Sequence, residues 1–138
     1  MSLPVVASWP AHRAGAVLTI DLGAITENYK LLAQKVQGAT CAAVVKSDAY
    51  GLGAIQVAQA LEQAGAKEFF VAHVDEGLAL KPALSAQARI TVLHGARPQA
   101  LAECLQAGLR PVLNSLEQVA ELKAYAHSAG QQQNAVLQ

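Results

Sequence analysis

The chain has 138 residues, of which 53% are apolar and 14% charged, enough for one core but too few for two well-formed domains. Ten basic and ten acidic residues cancel along the chain, which excludes a nucleic-acid or anionic-membrane surface as its main business. No apolar run approaches the length of a membrane span, and MSLPVVASWPAHRAGA lacks the charged-then-apolar order of a signal peptide.

Residues 1–16, with Trp9 and Pro10, read as an N-terminal arm, and 17–138 as the folded portion. VLTID (17–21) predicts a first strand, and Asp21 at its end reads as the cap of the helix that follows. Ile25, Tyr29, Leu32 and Val36 form one helical stripe. CAAVVK (41–46) predicts a second strand, and the stripe Ala54, Val57, Ala58, Leu61 and Ala64 a helix closed by Gly65. EFFVAH (68–73) is a third strand, followed by a helix with Asp75 and Glu76 in its first turn, where acids suit the dipole. RITVLH (89–94) precedes a helix from Pro98 to Gly108, with Arg97 before it read as solvated. RPVLN (110–114) precedes a last helix that runs to about Gly130. Asn114 and Ser115 read as turn and cap, and Ser115 with Gln118 has the spacing of a capping box.

Strand starts recur about every 20 to 27 residues, the size of one strand-plus-helix unit. The strands are continuous apolar runs, which predicts a parallel sheet buried on both faces. This α/β pattern suits a doubly wound sheet or part of a (β/α)₈ barrel. After the polar loop GQQQN, AVLQ (135–138) reads as the start of a sixth strand. A whole barrel takes about 250 residues, so five units and the start of a sixth strand are expected to be a fragment of a longer protein. Cys41 and Cys104 lack metal-ligand spacing and read as buried thiols of a reducing cytoplasm, and no other spacing suggests a metal.

The stretch AVVKSDAYGLGA (43–54) places Lys46 at the C-terminal end of a buried strand, where α/β proteins bind ligands. On position alone, a solvated lysine is the plain alternative. Gly51 and Gly53 allow a tight turn just before a helix whose N-terminus would attract phosphate, and Tyr50 adds a hydroxyl. An amine beside an anion site suits a phosphate-bearing carbonyl cofactor, although a lone Gly-x-Gly is weak.

This stretch resembles the pyridoxal-phosphate signature of the alanine racemases, whose N-terminal domain is a (β/α)₈ barrel. LTIDLGAITENYKLLAQ, EFFVAHVDEGLALK and GLRPVLNSLEQVAEL are similar to the family's first, third and fifth units, in order. Ser47 and Leu52 depart from the family's usual Ala and His. The resemblance implies that Lys46 forms a Schiff base with pyridoxal 5'-phosphate and acts as one acid/base group at the substrate Cα. It also implies that Tyr50 hydrogen-bonds the phosphate, that Val44 packs against the cofactor ring and that Leu93 lines the pocket. An attacking lysine must be neutral, and an apolar strand end favours that by desolvation.

The family's second proton carrier is a tyrosine from the partner subunit's C-terminal domain, and none of Tyr29, Tyr50 and Tyr125 matches it. The family's arginine to the pyridine nitrogen also falls outside these residues. The resemblance therefore implies interconversion of L- and D-alanine for peptidoglycan precursors by a cytoplasmic homodimer, with this portion alone inactive or nearly so. A broader amino-acid racemase, for example of serine, and a non-catalytic cofactor-binding half-barrel are the rivals. His73 and His94 end strands on the face where barrel enzymes keep chemistry, yet the family mechanism gives neither a proton. His12 and His127 read as surface residues.

Overall fold

The computed structural model describes residues 10–36 and 38–138. The arm expected over 1–16 therefore lies mostly outside the described residues; Pro10 is exposed, and Ala11–Arg13 form a single 3-10 turn. Helix α1 spans Leu22–Lys35, strand β1 Ala43–Val44, and the short α2 Lys46–Gly51. Then come α3 (Ala54–Gln63), β2 (Glu68–Val71), α4 (Val74–Leu80), β3 (Arg89–Val92) and α5 (Pro98–Gln106). The chain continues through β4 (Arg110–Leu113) and α6 (Leu116–Ala129) to β5 (Val136–Leu137).

The five strands form one parallel sheet in chain order, β1-β2-β3-β4-β5. A parallel neighbour needs a crossover, and α3 to α6 supply one between each successive pair. The sheet is an arc of a barrel, as expected, with one correction. Residues 17–21 form no strand among the described residues, and Val17 and Leu18 are 63% and 76% exposed. Their apolar, partly β-branched composition favours extended backbone, but a strand also needs a ladder to take up its N–H and C=O groups. Its sequence neighbour β1 is only two residues long, because the chain leaves the sheet at Lys46.

Side chains alternate between faces along a strand, so the register sorts them. On one face lie Phe69, Val71, Ile90 and Val92, all buried and packed with Val57, Ala58, Leu61, Leu80, Leu101, Cys104 and Leu122 of the helices. Each large side chain buried there contributes about 1.5–3 kcal/mol. Burial also pushes the Cys104 thiol up to about 11, so it is an inert core thiol, whereas Cys41 is only half-buried. The other face carries Val44, Phe70 and Thr91, which are paired neighbours in register, and Val44 there is 45% exposed. Burial on both faces is therefore met at β3, where Thr91 is the buried residue of the second face, and at β4, but not at β1.

At the N-terminal ends of the strands Glu68 pairs with both Arg89 and Arg110, and Arg110 also donates to the Thr91 hydroxyl at 2.9 Å. Thr91 is fully buried, and this bond satisfies its oxygen.

The helix starts follow their sequence signals, with one refinement. Asp21 accepts the Ala24 N–H at 3.0 Å and Ser115 accepts that of Gln118 at 3.3 Å. Gln118 does not close the expected reciprocal box on Ser115. Its Oε1 accepts instead from Asn114 N at 2.7 Å, and its Nε2 donates to His94 O at 3.1 Å, tying α6 to the ends of β3 and β4. The α1 stripe is also only half used. Ile25 and Tyr29 pack on the core, while Leu32 and Val36 are 55% and 39% exposed.

Gly95, at φ +69, sits under this junction, and an added Cβ would meet Val112 O at 2.5 Å. Gly130, the left-handed cap of α6 at φ +62, has nothing within 4 Å of that position. Gly95→Ala is expected to lower stability by on the order of 3 kcal/mol and Gly130→Ala by about 1 kcal/mol. Denaturant midpoints followed by far-UV circular dichroism check the difference.

Candidate functional site

Past Val45, whose N–H still donates to Phe70 O at 2.9 Å, the chain leaves the sheet and winds the wrong way. Ser47, Asp48, Ala49 and Tyr50 all have φ between 53° and 58°, one turn of left-handed helix built without glycine. Each such residue costs roughly 1–2 kcal/mol, so the turn persists only where its surroundings over-determine it.

The supports are visible. Ala49 is buried, and its N–H donates to Val45 O at 3.0 Å. Gly53 N donates to Asp48 O at 2.9 Å, with Gly51 and Gly53 at φ 86° and 91° completing the exit. Asp48 Oδ1 accepts from Ala54 N at 2.7 Å, capping α3, whose own N-cap residue Gly53 has no side chain to do so. The Ser47 N–H donates to Glu76 Oε1 at 2.8 Å, reaching across from α4.

Glu76 is a junction. Its other oxygen accepts from Ala72 N at 2.6 Å and His73 N at 3.2 Å, where β2 runs into α4. Partial burial pushes its carboxyl upward, but the N–H groups of Ser47, Ala72 and His73, with the His73 charge, outweigh that and hold it below the ordinary glutamate range.

Lys46 opens this turn, half-buried at the C-terminal end of β1. The dry environment expected for it is thus only half formed by the described residues. Val44, two residues earlier, shares the arc's open face with Phe70 and Thr91, and Leu93 follows two residues after Thr91. The register so puts Val44 and Leu93 on one face, near the strand end where Lys46 opens the turn. Tyr50 lies on the turn, 64% exposed, and its hydroxyl makes no hydrogen bond among the described residues.

One expectation needs correction. The N-terminus of α3 is not an open phosphate cradle, because the Asp48 carboxylate already takes the Ala54 N–H and supplies the negative charge that the dipole favours.

The two histidines have a different neighbourhood. The His73 and His94 rings stack with centroids 4.5 Å apart and 15° between planes. They border a cavity of about 630 Å³ between the starts of α4, α5 and α6, whose lining includes neither Lys46 nor Tyr50. Arg97 is exposed on that rim. Asn114 ties strand ends together, donating to Leu93 O at 3.0 Å and Val112 O at 3.3 Å. Tyr29 is occupied as well, its hydroxyl donating to Cys41 O at 3.2 Å.

Sequence reasoning missed the left-handed turn and the Glu76 junction. The pair Gly51 and Gly53 was a signal for a turn, but Ser, Asp, Ala and Tyr in succession carry none for left-handed winding. Glu76 was legible only as a first-turn acid.

Comparison with known proteins follows the same lines. Residues 20–138 match the family model for the alanine racemase N-terminal domain. The whole chain is 48% identical to a catabolic alanine racemase of Agrobacterium fabrum, covering 36% of that protein, and 48% identical to an alanine racemase of Brucella suis, covering 35%. The chain thus spans about a third of the length of these relatives. A crystal structure of alanine racemase from Bartonella henselae, with covalently bound pyridoxal phosphate, superposes with a TM-score of 0.82 at 40% identity. It covers 84% of this chain and 32% of that one. The alanine racemase from Streptomyces coelicolor gives 0.75 at 34% identity, over 86% and 32%. The chain belongs to the alanine racemase N-terminal domain family.

Proposed function

We propose that this chain is the cofactor-holding part of a racemase that interconverts L- and D-alanine, with Lys46 as the residue that carries pyridoxal 5'-phosphate. One observation carries the reading: an amine just past the C-terminal end of a strand in a parallel arc, followed at once by a strained turn. Backbone strain of this kind collects at functional sites. The bound cofactor of the Bartonella henselae relative supports the same assignment.

The residues present fit such a group. Lys46 offers the amine, Val44 and Leu93 an apolar wall for a ring, and Tyr50 a free, exposed hydroxyl for a phosphate oxygen. When bound, the cofactor supplies an electron sink for negative charge developing at the substrate Cα. Lys46 Nζ then exchanges a proton at that carbon, and the half-buried setting limits its competition with water. Inversion needs a second proton carrier. Tyr29 is engaged with the Cys41 carbonyl, Tyr125 packs against the core, and Tyr50 is reserved for the phosphate. The 138 residues alone are therefore a binder of the cofactor with little or no racemase activity.

The whole enzyme is read as a cytoplasmic homodimer that serves peptidoglycan precursor supply. The word catabolic in the Agrobacterium fabrum relative's name favours a second use, the same interconversion run toward breakdown of alanine.

Two tests apply. Mixed with pyridoxal 5'-phosphate and reduced with borohydride, the chain is expected to carry a pyridoxyl group on Lys46, located by peptide mass spectrometry. Lys46→Ala is expected to lose it, and labelling spread evenly over the lysines would sink the assignment. In Tyr50→Phe the concentration of pyridoxal 5'-phosphate giving half-maximal labelling should rise roughly tenfold, as for loss of one hydrogen bond to a charged group. Labelling by pyridoxal, which has no phosphate, should not change; an equal effect on both would remove Tyr50 from phosphate binding.

A further inference from the structure

Glu76 is thirty positions from Lys46, on a different helix, and its bonds among the described residues are to backbone N–H groups, not to the lysine amine. It nonetheless grips the peptide group that joins Lys46 to Ser47, through Ser47 N at 2.8 Å. Its second oxygen holds Ala72 N at 2.6 Å and His73 N at 3.2 Å. One carboxylate thus fastens the first peptide of the left-handed turn to the C-terminal end of the neighbouring strand. We propose that Glu76 is a positioning residue, which sets where the Lys46 amine points by clamping the Lys46–Ser47 peptide to the end of β2. This rests on the proposed role of Lys46.

The chemistry favours a carboxylate over any other side chain there. Three N–H groups converge on two oxygens, so the site needs acceptors on both sides and no donor. A glutamine would present its NH₂ to at least one of those N–H groups. An aspartate is one methylene shorter and cannot span from α4 to both partners. Ionised acceptors also make the stronger hydrogen bonds, which suits a turn of four strained residues. The far end of the turn is held separately by Asp48 on Ala54 N, so Glu76 governs the end that carries the lysine.

The clamp lies outside the cofactor contacts, so its effect is separable from them. Glu76→Ala, Glu76→Gln and Glu76→Asp are to be compared in the 138-residue chain. Glu62→Ala serves as control, since Glu62 grips Ser85 N and Oγ far from the turn in a similar way. The readouts are hydrogen exchange at the Ser47 amide and the share of borohydride-trapped pyridoxyl on Lys46 relative to Lys67 and Lys123.

Glu76→Ala is expected to speed Ser47 exchange roughly tenfold or more and to cut the Lys46 share several-fold, with amides of β3 and β4 unchanged. Gln and Asp should fall between Ala and wild type, and Glu62→Ala should match wild type on both readouts. If Glu76→Ala fails to fold by circular dichroism, the Gln variant carries the comparison. Unchanged Ser47 exchange, or faster exchange with an unchanged Lys46 share, overturns the role of Glu76 alone. A wild-type chain that shows no preference for Lys46 overturns the function of Lys46 and the positioning role with it.

Discussion

Four consecutive residues in left-handed conformation are the constraint around which the rest of this end of the molecule is arranged. Had the chain continued extended past Val44, residue 46 would have been one more strand residue. The left-handed turn instead ends β1 after two residues and lets α3 begin at Ala54. Its cost, roughly 1–2 kcal/mol per residue, is set against a short inventory of groups. Ala49 is buried in the core, Asp48 binds forward to α3, and Glu76 binds back to β2. The two carboxylates meet around a small cavity of about 180 Å³, walled by Val45, Val71 and Leu80, so the turn rests on an apolar floor with polar anchors at its rim.

The open face of the sheet is graded along the strand direction. At its N-terminal end are Glu68, Arg89 and Arg110, with Thr91 beside them, mutually paired. Phe70 and Val44 form an apolar middle, Leu93 lies towards the C-terminal end, and Lys46 opens the turn just past β1. Charges fixed to one another at the bottom serve stability, since removing Glu68 would leave the partly buried Arg110 without its carboxylate. The Lys46 amine, without an ion pair among the described residues, sits at the opposite end, where barrel enzymes place chemistry. Stability and reactivity are thus divided between the two ends of the same strands.

Periodicity made most of the scaffold legible. The apolar runs at 68–73, 89–94 and 110–114 became the somewhat shorter strands β2, β3 and β4, and Asp21, Pro98, Ser115 and Gly130 marked helix ends where they were expected. What was not legible depends on tertiary partners. Residues 17–21 have strand composition but no ladder among the described residues, and composition cannot report a partner. Gln118 has capping-box spacing but spends its amide on Asn114 and His94, a choice made by the proximity of two strand ends. Glu76 looked like an ordinary first-turn acid because the Ser47 N–H that it accepts lies 29 residues away in sequence. The site itself was legible as a motif, Lys46 with Tyr50 and two glycines, while the geometry that presents it was not.

Asp48 bears on how an anionic ligand would be held here. The motif alone points to the N-terminus of α3 as a phosphate site, since a glycine-rich turn precedes it. The fold places a carboxylate there, bonded to Ala54 N at 2.7 Å. A phosphate approaching that helix end would meet like charge and lose the first free N–H. The carboxylate is needed, because Gly53 must take φ 91° to leave the turn and a glycine has no side chain with which to cap the helix. The same conformational demand that requires glycine at 53 therefore moves the cap to Asp48, and it denies that end of α3 to a ligand phosphate. Within the stretch 43–54, the Tyr50 hydroxyl, exposed and without a hydrogen bond among the described residues, stays open to an anion, as do the Lys46 amine and the exposed Ser47 hydroxyl.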